Sequence, residues 1–379
     1  MPSSMIPFNR PSFPGNERSY LEQSIANGSI SGNGEFTKFA EAALSELHGG
    51  AAVLLTTSCT HALELSARLL DLQPGDEVIV PSYTFVSTAS AFMWNGARPV
   101  FADSRADTLN IDPSDVARLI TPRTKAICIV HYAGVGADPG AFEQLAAERG
   151  IRLIEDNAHG LGGHFDGRTL GTFGDMSTLS FHETKNLTCG EGGALVINDP
   201  ALVDRAEILR EKGTNRARFL RGQVDKYTWE DIGSSWVMSD MLAAMLAGQL
   251  ERFDEIQAER MRLWRRYQEA LADWAGESDV ILPHVPERAA HPAHMFHLRF
   301  TSQQRRDAFI THMRDRGVLT VFHYQALHES PIGLSLHEGH ACPVASEASQ
   351  TLVRLPLFYD LGDADQRTVI AAATSFTGR

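Results

Sequence analysis

Lysine is scarce in this chain: five residues, Lys38, Lys125, Lys185, Lys212 and Lys226, stand among its 379, and arginine supplies the rest of its 34 basic residues. Any amine nucleophile must come from that short set. Cysteine is sparse too. Cys59, Cys128, Cys189 and Cys342 lie far apart with no CxxC pair, so neither a disulfide framework nor a thiolate metal site is indicated. Positive charge is outweighed, with a formal net charge of -13, which argues against nucleic acid or an anionic membrane as the main partner. No apolar window approaches a membrane-spanning length, and the first residues do not join a basic segment to an apolar stretch, so a cytoplasmic location is expected. Several motifs are also missing. Without a Walker lysine or GxGxxG there is no support for a nucleoside triphosphatase or a dinucleotide site. The 15 histidines form no HExxH or tight cluster with carboxylates, so no metal is expected, and there is no GxSxG elbow for a nucleophilic serine.

What is present reads as an α/β protein. Hydrophobic residues make up 43% of the chain, enough for a large domain and a smaller one. Short apolar runs at 52–55, 77–80, 99–103, 126–131, 152–155, 178–181 and 194–197 look like buried strands. Several alternate with helical patterns at 61–70, 87–94 and 139–149, as βαβ units of a mainly parallel sheet do. After Ser239 a nearly unbroken helical pattern runs to Trp274. The expected organisation is an N-terminal arm at 1–30 packed on the smaller domain, a large domain at 31–245, a linking helix at 246–275 and a small C-terminal α/β domain at 276–379.

Chemistry-bearing residues fall at the ends of these strands, where an open α/β sheet binds its ligands. Ser180-Phe-His-Glu-Thr-Lys185-Asn, followed by Gly190-Glu-Gly-Gly193, places a lysine between an apolar strand and a glycine-rich bend. Desolvation there would lower its pKa and free the amine to attack a carbonyl. Thr56-Thr-Ser58-Cys59-Thr60-His61 opens a helix, whose unpaired amides and hydroxyls suit a phosphate. Asp156 emerges from a strand end, placed to pair with a protonated pyridine nitrogen. Phe85, in Pro81-Ser-Tyr-Thr-Phe85, can lie on a flat ring. Each alone has an ordinary reading, as a turn lysine, an N-cap, a structural ion pair or a core aromatic. Together, phosphate cradle, aromatic shelf, acid and lysine describe a pyridoxal phosphate (PLP) site. A compact basic stretch at 209–226, rich in arginine, suits a phosphorylated substrate.

The chain resembles the DegT/DnrJ/EryC1/StrS family of PLP-dependent sugar-nucleotide aminotransferases over essentially its whole length. The likeness rests on Pro74-Gly-Asp-Glu-Val-Ile with Pro81-Ser-Tyr-Thr-Phe, on Glu155-Asp156, on the Lys185 motif and on Arg354-Leu-Pro-Leu-Phe-Tyr. Longer strings look most like the dTDP-4-amino-4,6-dideoxygalactose transaminases: Arg210-Glu-Lys-Gly-Thr-Asn-Arg, Phe219-Leu-Arg-Gly-Gln-Val-Asp-Lys-Tyr-Thr-Trp and Asp231-Ile-Gly-Ser-Ser.

The resemblance implies a type I aminotransferase fold and a homodimer with active sites at the subunit interface. It implies that Lys185 holds the cofactor as a Schiff base and shuttles the proton. By the same resemblance Asp156 pairs with the pyridine nitrogen, Phe85 stacks on the ring, His159 lies on the ring-hydroxyl side, and Ser58, Cys59, Thr60 and Ser180 hold the phosphate. Many relatives carry glutamine in place of His159. Many also place a partner-subunit asparagine on the phosphate where this chain has Val237, and Ser234 or Ser235 is the expected substitute. Other relatives carry histidine at the lysine position and act as dehydratases, which Lys185 argues against.

The reaction implied is transfer of the amino group of glutamate to the 4-keto group of dTDP-4-keto-6-deoxy-D-glucose. Arg216, Arg218, Arg221, Lys226 and Tyr227 are candidates for the diphosphate, and His323, Tyr324 and His328 for the sugar or the donor carboxylate. Two alternatives stay open: a 3-aminotransferase or inositol-type ketone aminotransferase, and a catalytically idle PLP-fold binding protein. Whether the new amine is axial or equatorial also stays open.

Overall fold

The computed structural model describes residues 5–28, 30–336 and 338–378. Its centre is a seven-stranded sheet of β1 (Ala52–Thr56), β2 (Glu77–Pro81), β3 (Arg98–Ala102), β4 (Thr124–Val130), β5 (Arg152–Asp156), β6 (Met176–Ser180) and β7 (Gly193–Ile197), in the spatial order β1-β7-β6-β5-β4-β2-β3. Every neighbouring pair from β6 to β3 is parallel; β7 alone runs antiparallel, between β1 and β6. All seven apolar runs of the sequence are strands of this one sheet. They read so clearly because both faces are covered: Val78, Ile79 and Val80 are fully buried, as are Ala126 to Ile129, so the strands are continuous apolar segments rather than alternating ones.

The first residues hold more structure than their lack of period suggests. Helix α1 (Glu17–Ala26) packs on the helix Asp240–Leu250 beside the large sheet, whereas the residues before it cross to the C-terminal region, where Ile6 bridges to Val318. The arm therefore does not pack on the smaller region alone. Polar bonds anchor α1, among them Tyr20 to Glu251 and Asn16 to Glu251, and polar anchoring leaves no hydrophobic repeat to read.

Helix α2 (Glu35–Leu47) follows, and then α3 (Cys59–Leu69), which starts where β1 ends. The helical pattern after Ser239 is two helices, Asp240–Leu250 and Phe253–Glu277, separated at Glu251-Arg252. The longer one leads to a three-stranded sheet in the order Phe296–Arg299, Leu352–Leu355, Val321–Phe322. A separate core of Trp264, Tyr267, Phe296, Phe309 and Val353 holds that sheet against its helices. Its third strand, Val321–Phe322, is only two residues long.

Candidate active site

The carboxyl ends of β1, β2, β5 and β6 meet at one edge of the large sheet, and antiparallel β7 enters at the same edge through Gly192-Gly193. They open on a cavity of about 770 Å³ whose wall includes Ser58, Phe85, Asp156, His159, Ser180 and Lys185, closed from the other side by Val321 to Tyr324 and Arg354. Cys59 and Thr60 also line it. Residues from four strand ends thus converge as their sequence positions suggested.

Lys185 rides on a loop pinned across its base. Phe181 N–H donates to Gly192 O at 2.8 Å, Cys189 N–H to Phe181 O at 3.0 Å, and Glu183 N–H to Gly190 O at 3.0 Å. Gly190 has φ of +91°, a conformation that side chains of L-residues resist. Asn186 fixes the far side of the loop, donating to Gln257 Oε1 and Pro292 O at 2.9 and 2.7 Å. Burial pushes the Lys185 ammonium down to about 8; the charge of Arg354 adds to that, while Cys59 and Asp156 oppose it. An amine in that range holds a neutral, nucleophilic fraction of roughly a tenth at pH 7, far more than an ordinary lysine of about 10.4 does.

Asp156 is buried at the end of β5. Burial raises its pKa, opposed by bonds from the Thr88 hydroxyl and the Ala158 amide and by the nearby Lys185 charge. The result is a carboxylate held in place by few donors, with capacity for a further cationic one. Its neighbour Glu155 points to the opposite face, where it accepts from His131 and from the amides of Gly171, Phe173 and Gly174. Glu155 is a scaffold for the turn at 171–174, and Asp156 alone of the pair serves the cavity.

At the other end, Ser58 caps α3: its Oγ accepts from His61 N–H at 3.1 Å and its carbonyl from Ala62 N–H at 3.1 Å. The amides of Cys59 and Thr60 precede the first intrahelical bond and stay available at the positive end of the helix. Thr60 Oγ1 bonds Ser87 Oγ at 2.7 Å, and Cys59 Sγ approaches Thr178 Oγ1 at 3.5 Å. Burial raises the Cys59 thiol far above its ordinary pKa, so it acts as a neutral wall atom. Gly193 permits the arrangement: a Cβ there would stand 2.3 Å from Ser58 C and 2.4 Å from Cys59 N.

The facing wall is aromatic. His159 stacks on His294 with ring centroids 4.2 Å apart, and His294 Nδ1 meets Asn186 Oδ1 at 2.9 Å. Tyr324, at the strained φ of +45°, brings its hydroxyl to His159 Nε2 at 3.3 Å. His323 is held by Tyr132, hydroxyl to Nδ1 at 2.8 Å. Burial drives His159, His294 and His323 well below the usual histidine pKa, so these rings are neutral. Phe85, about half exposed, stands at the open side with its ring 6.0 Å from Tyr324.

Other sequence candidates lie elsewhere in the chain. Arg216 pairs with Glu211, Arg218 with Asp204, and Arg221 in a two-pronged contact with Glu207. Lys226, Tyr227 and Ser235 are exposed. None of these six lines the cavity of its own chain. His328 does not reach the cavity either: it is buried against Ser82, Nδ1 to Oγ at 2.6 Å. Sequence reasoning passed over Thr88, His294 and Arg354 as site residues. Arg354 stood inside a motif already singled out and Thr88 in the helical pattern at 87–94; His294 carried no signal of its own.

The donor set suits PLP. Free helix amides and hydroxyls stand at one end for a phosphate, a buried carboxylate at the other for a ring nitrogen, and His159 Nδ1 is buried without a hydrogen-bond partner. The comparisons agree. TlmJ, an aminotransferase from Streptoalloteichus hindustanus, is 34% identical, with 98% of each chain covered and a TM-score of 0.90. DesV from S. venezuelae, solved with a ketimine intermediate, is 30% identical over 100% of each chain, again at a TM-score of 0.90. Spr1654 of Streptococcus pneumoniae in its PLP form is 27% identical over 98% of each chain at 0.89. These likenesses establish the type I aminotransferase fold. Residues 12–374 match the DegT/DnrJ/EryC1/StrS aminotransferase family, and the chain belongs to that family of PLP-dependent sugar aminotransferases.

Proposed function

We propose that this enzyme transfers the amino group of glutamate to the 4-keto group of dTDP-4-keto-6-deoxy-D-glucose, giving a dTDP-4-amino-4,6-dideoxyhexose. The observation that carries the reaction type is Lys185, its ammonium lowered to about 8 by burial, in one cavity with Asp156. The narrower substrate rests on the strings at 210–216, 219–229 and 231–235, which resemble the 4-aminotransferases acting on this sugar nucleotide.

Bound PLP supplies an aldehyde for the lysine and an electron-poor ring that accepts carbanion charge. Ser58, Cys59, Thr60 and Ser180 would hold its phosphate, Asp156 its ring nitrogen, Phe85 one ring face, and His159 its hydroxyl side. Lys185 Nζ takes the proton from the donor carbon and delivers one to the sugar carbon. The neutral histidine wall adds no competing acid.

The segment 216–232 supports a subunit interface. It exposes Phe219, Leu220, Tyr227, Trp229 and Ile232 together, more apolar surface than a solvated loop requires. In a homodimer, Arg216, Arg218, Arg221, Lys226 and Tyr227 reach the partner's cavity and meet the diphosphate there, and Ser235 meets the cofactor phosphate.

The test is incubation of purified protein with PLP, glutamate and dTDP-4-keto-6-deoxy-D-glucose, followed by NMR of the sugar. An amine at C4 is expected, and the ring couplings assign it as axial or equatorial. Turnover only with a 3-keto sugar nucleotide or an inositol-type ketone would overturn the substrate assignment.

A further inference from the structure

His294 joins the lysine loop to His159 through a chain of amides whose polarity has one solution. Gln257 Nε2 donates to the backbone oxygen of Leu161 at 3.1 Å, which leaves its Oε1 to accept from Asn186 Nδ2 at 2.9 Å. Asn186 Nδ2 also donates to Pro292 O at 2.7 Å. Leu161 O and Pro292 O are backbone carbonyls, which only accept. The Asn186 oxygen is therefore the acceptor in its 2.9 Å contact with His294 Nδ1, and the ring supplies the N–H. Burial, and then the nearness of His159, Lys185, Arg260 and Arg354, holds His294 well below the usual histidine pKa. A neutral ring with its proton on Nδ1 is a donor toward the lysine loop and bears a lone pair on Nε2.

The backbone that carries this ring is held as closely. Ala293 sits in the left-handed region at φ of +50° and donates its N–H to His291 Nδ1 at 3.2 Å. Buried Arg260 donates to the carbonyls of Ala293 and His294 at 3.2 and 2.6 Å. Arg260 and Gln257 stand about one turn apart on the helix Phe253–Glu277, so one helix face fixes both the chain of amides and the strained segment. Strain of this kind persists where the surrounding structure over-determines it, and it gathers at functional sites. The side chain so placed is a flat ring stacked on His159, with centroids 4.2 Å apart and planes 17° from parallel.

His159 gains from such a support. Its Nε2 meets the Tyr324 hydroxyl at 3.3 Å. Burial raises the pKa of that phenol, so it stays protonated, and among the described residues it has no other acceptor. It donates to Nε2, and the His159 proton belongs on Nδ1. That N–H is buried without a partner, in a ring that lines the cavity.

We propose that His294 is a positioning residue: it holds the His159 ring in place, its Nδ1–H ready for the ring oxygen of bound PLP, and through Asn186 it ties that ring to the loop of Lys185. This rests on the placement of His159 on the ring-hydroxyl side proposed above, and not on which sugar is aminated. A donor on that oxygen weakens the oxygen's own hold on the proton of the lysine-bound nitrogen. Loss of the donor should therefore raise the pH at which the absorbance of the lysine-bound cofactor changes.

The test reads that pH midpoint in PLP-loaded protein. H294L and H159L should each raise it by about one unit. The double variant should raise it no further than H159L alone, because His294 acts through His159. H294F, which keeps a flat ring and loses the N–H, should fall between H294L and the wild type. In cofactor-free protein, NMR of isotope-labelled histidine nitrogens should show the His294 proton on Nδ1, and N186L should turn that into a mixture of the two tautomers. A midpoint moved by H159L but not by H294L or H294F would overturn the proposal while the placement of His159 stands, since a merely structural role would lower stability and leave the midpoint alone. An unmoved midpoint in H159L would remove that placement and the proposal with it. Additive shifts in the double variant, or a His294 proton on Nε2 in the wild type, would overturn the proposal as well.

Discussion

The hydroxyl of Thr88 donates to Asp156 Oδ2 at 2.8 Å, inside a pocket where both side chains are buried. This bond joins the first turn of the helix Ser87–Trp94, which follows β2, to the end of β5, and it is one of the few donors that keep the Asp156 carboxylate ionised against burial. Thr88→Val keeps the shape and removes the donor. The carboxyl pKa should rise further, and the dissociation constant for PLP should increase about tenfold, corresponding to about 1.4 kcal/mol. Thr88→Ser should restore wild-type affinity. Equal affinity in the valine variant, measured by spectral titration, would contradict the role given to this bond.

The lowered pKa of Lys185 sets a pH dependence with a definite sign. The rate at which cofactor-free protein captures PLP should climb with pH through a midpoint near 8, because only the neutral amine attacks. A midpoint above 10, as for an exposed lysine of about 10.4, would show that the amine is not desolvated. Stability follows the same linkage. Between the folded value of about 8 and the unfolded one, the unfolded chain binds the extra proton, so this group adds stability as pH rises across that window. The difference in denaturation midpoint between cofactor-free wild type and Lys185→Met should grow in the wild type's favour over the same range.

Gly193 is the hinge of the phosphate end. Its substitution by alanine puts a Cβ 2.3 to 2.5 Å from the Ser58-Cys59 backbone, and backbone cannot yield as a flexible side chain does. We expect Gly193→Ala to fold with reduced stability and to bind PLP at least about 100-fold more weakly, since each cradle bond depends on geometry held within a fraction of an ångström. Gly167→Ala, at a turn with open space around it and φ of +76°, serves as the strain control. A cradle that retains full affinity in Gly193→Ala would refute the close-approach argument.

Glu155 bears on stability rather than on chemistry. Although burial would raise its pKa, His131 and the amides at 171 and 174 hold it below the usual carboxylate range. A carboxyl lowered by folding stabilises the protein fully above its unfolded pKa and loses that contribution as pH falls through the folded value. Glu155→Gln presents an N–H donor to other donors and should destabilise by about 3 to 5 kcal/mol. Its stability should also depend less on pH in the acid limb. Equal acid-limb slopes in the two proteins, followed by circular dichroism, would contradict this.

Much of the fold was legible because the large sheet is buried on both faces and its strands are apolar runs. Strand ends then placed Ser58, Asp156 and Lys185 together without knowledge of their contacts. Other features obey forces that leave no periodic trace. The break at Glu251-Arg252 was hidden because apolar spacing continues from Leu250 to Phe253 across it. Helix α1 is fastened by Tyr20, Asn16 and Glu17 rather than by an apolar face. Arg354 looks in sequence like the one polar residue of an edge, between Val353 and Leu355. The pairing of Leu352–Leu355 with its two neighbouring strands is what brings it to the cavity wall. His323 and His328 sit five residues apart, yet one faces the cavity and the other is consumed by Ser82, a distinction that only packing decides.

The scarcity of lysine allows the most direct test. Protein saturated with PLP is reduced with borohydride, digested, and mapped by mass spectrometry for the pyridoxyl group. The adduct should fall on the peptide carrying Lys185 and vanish in Lys185→Ala, with Lys38, Lys125, Lys212 and Lys226 unlabelled. Labelling at any of those four, or an adduct that survives in Lys185→Ala, would contradict the assignment of Lys185 as the amine on which the chemistry of this site is built.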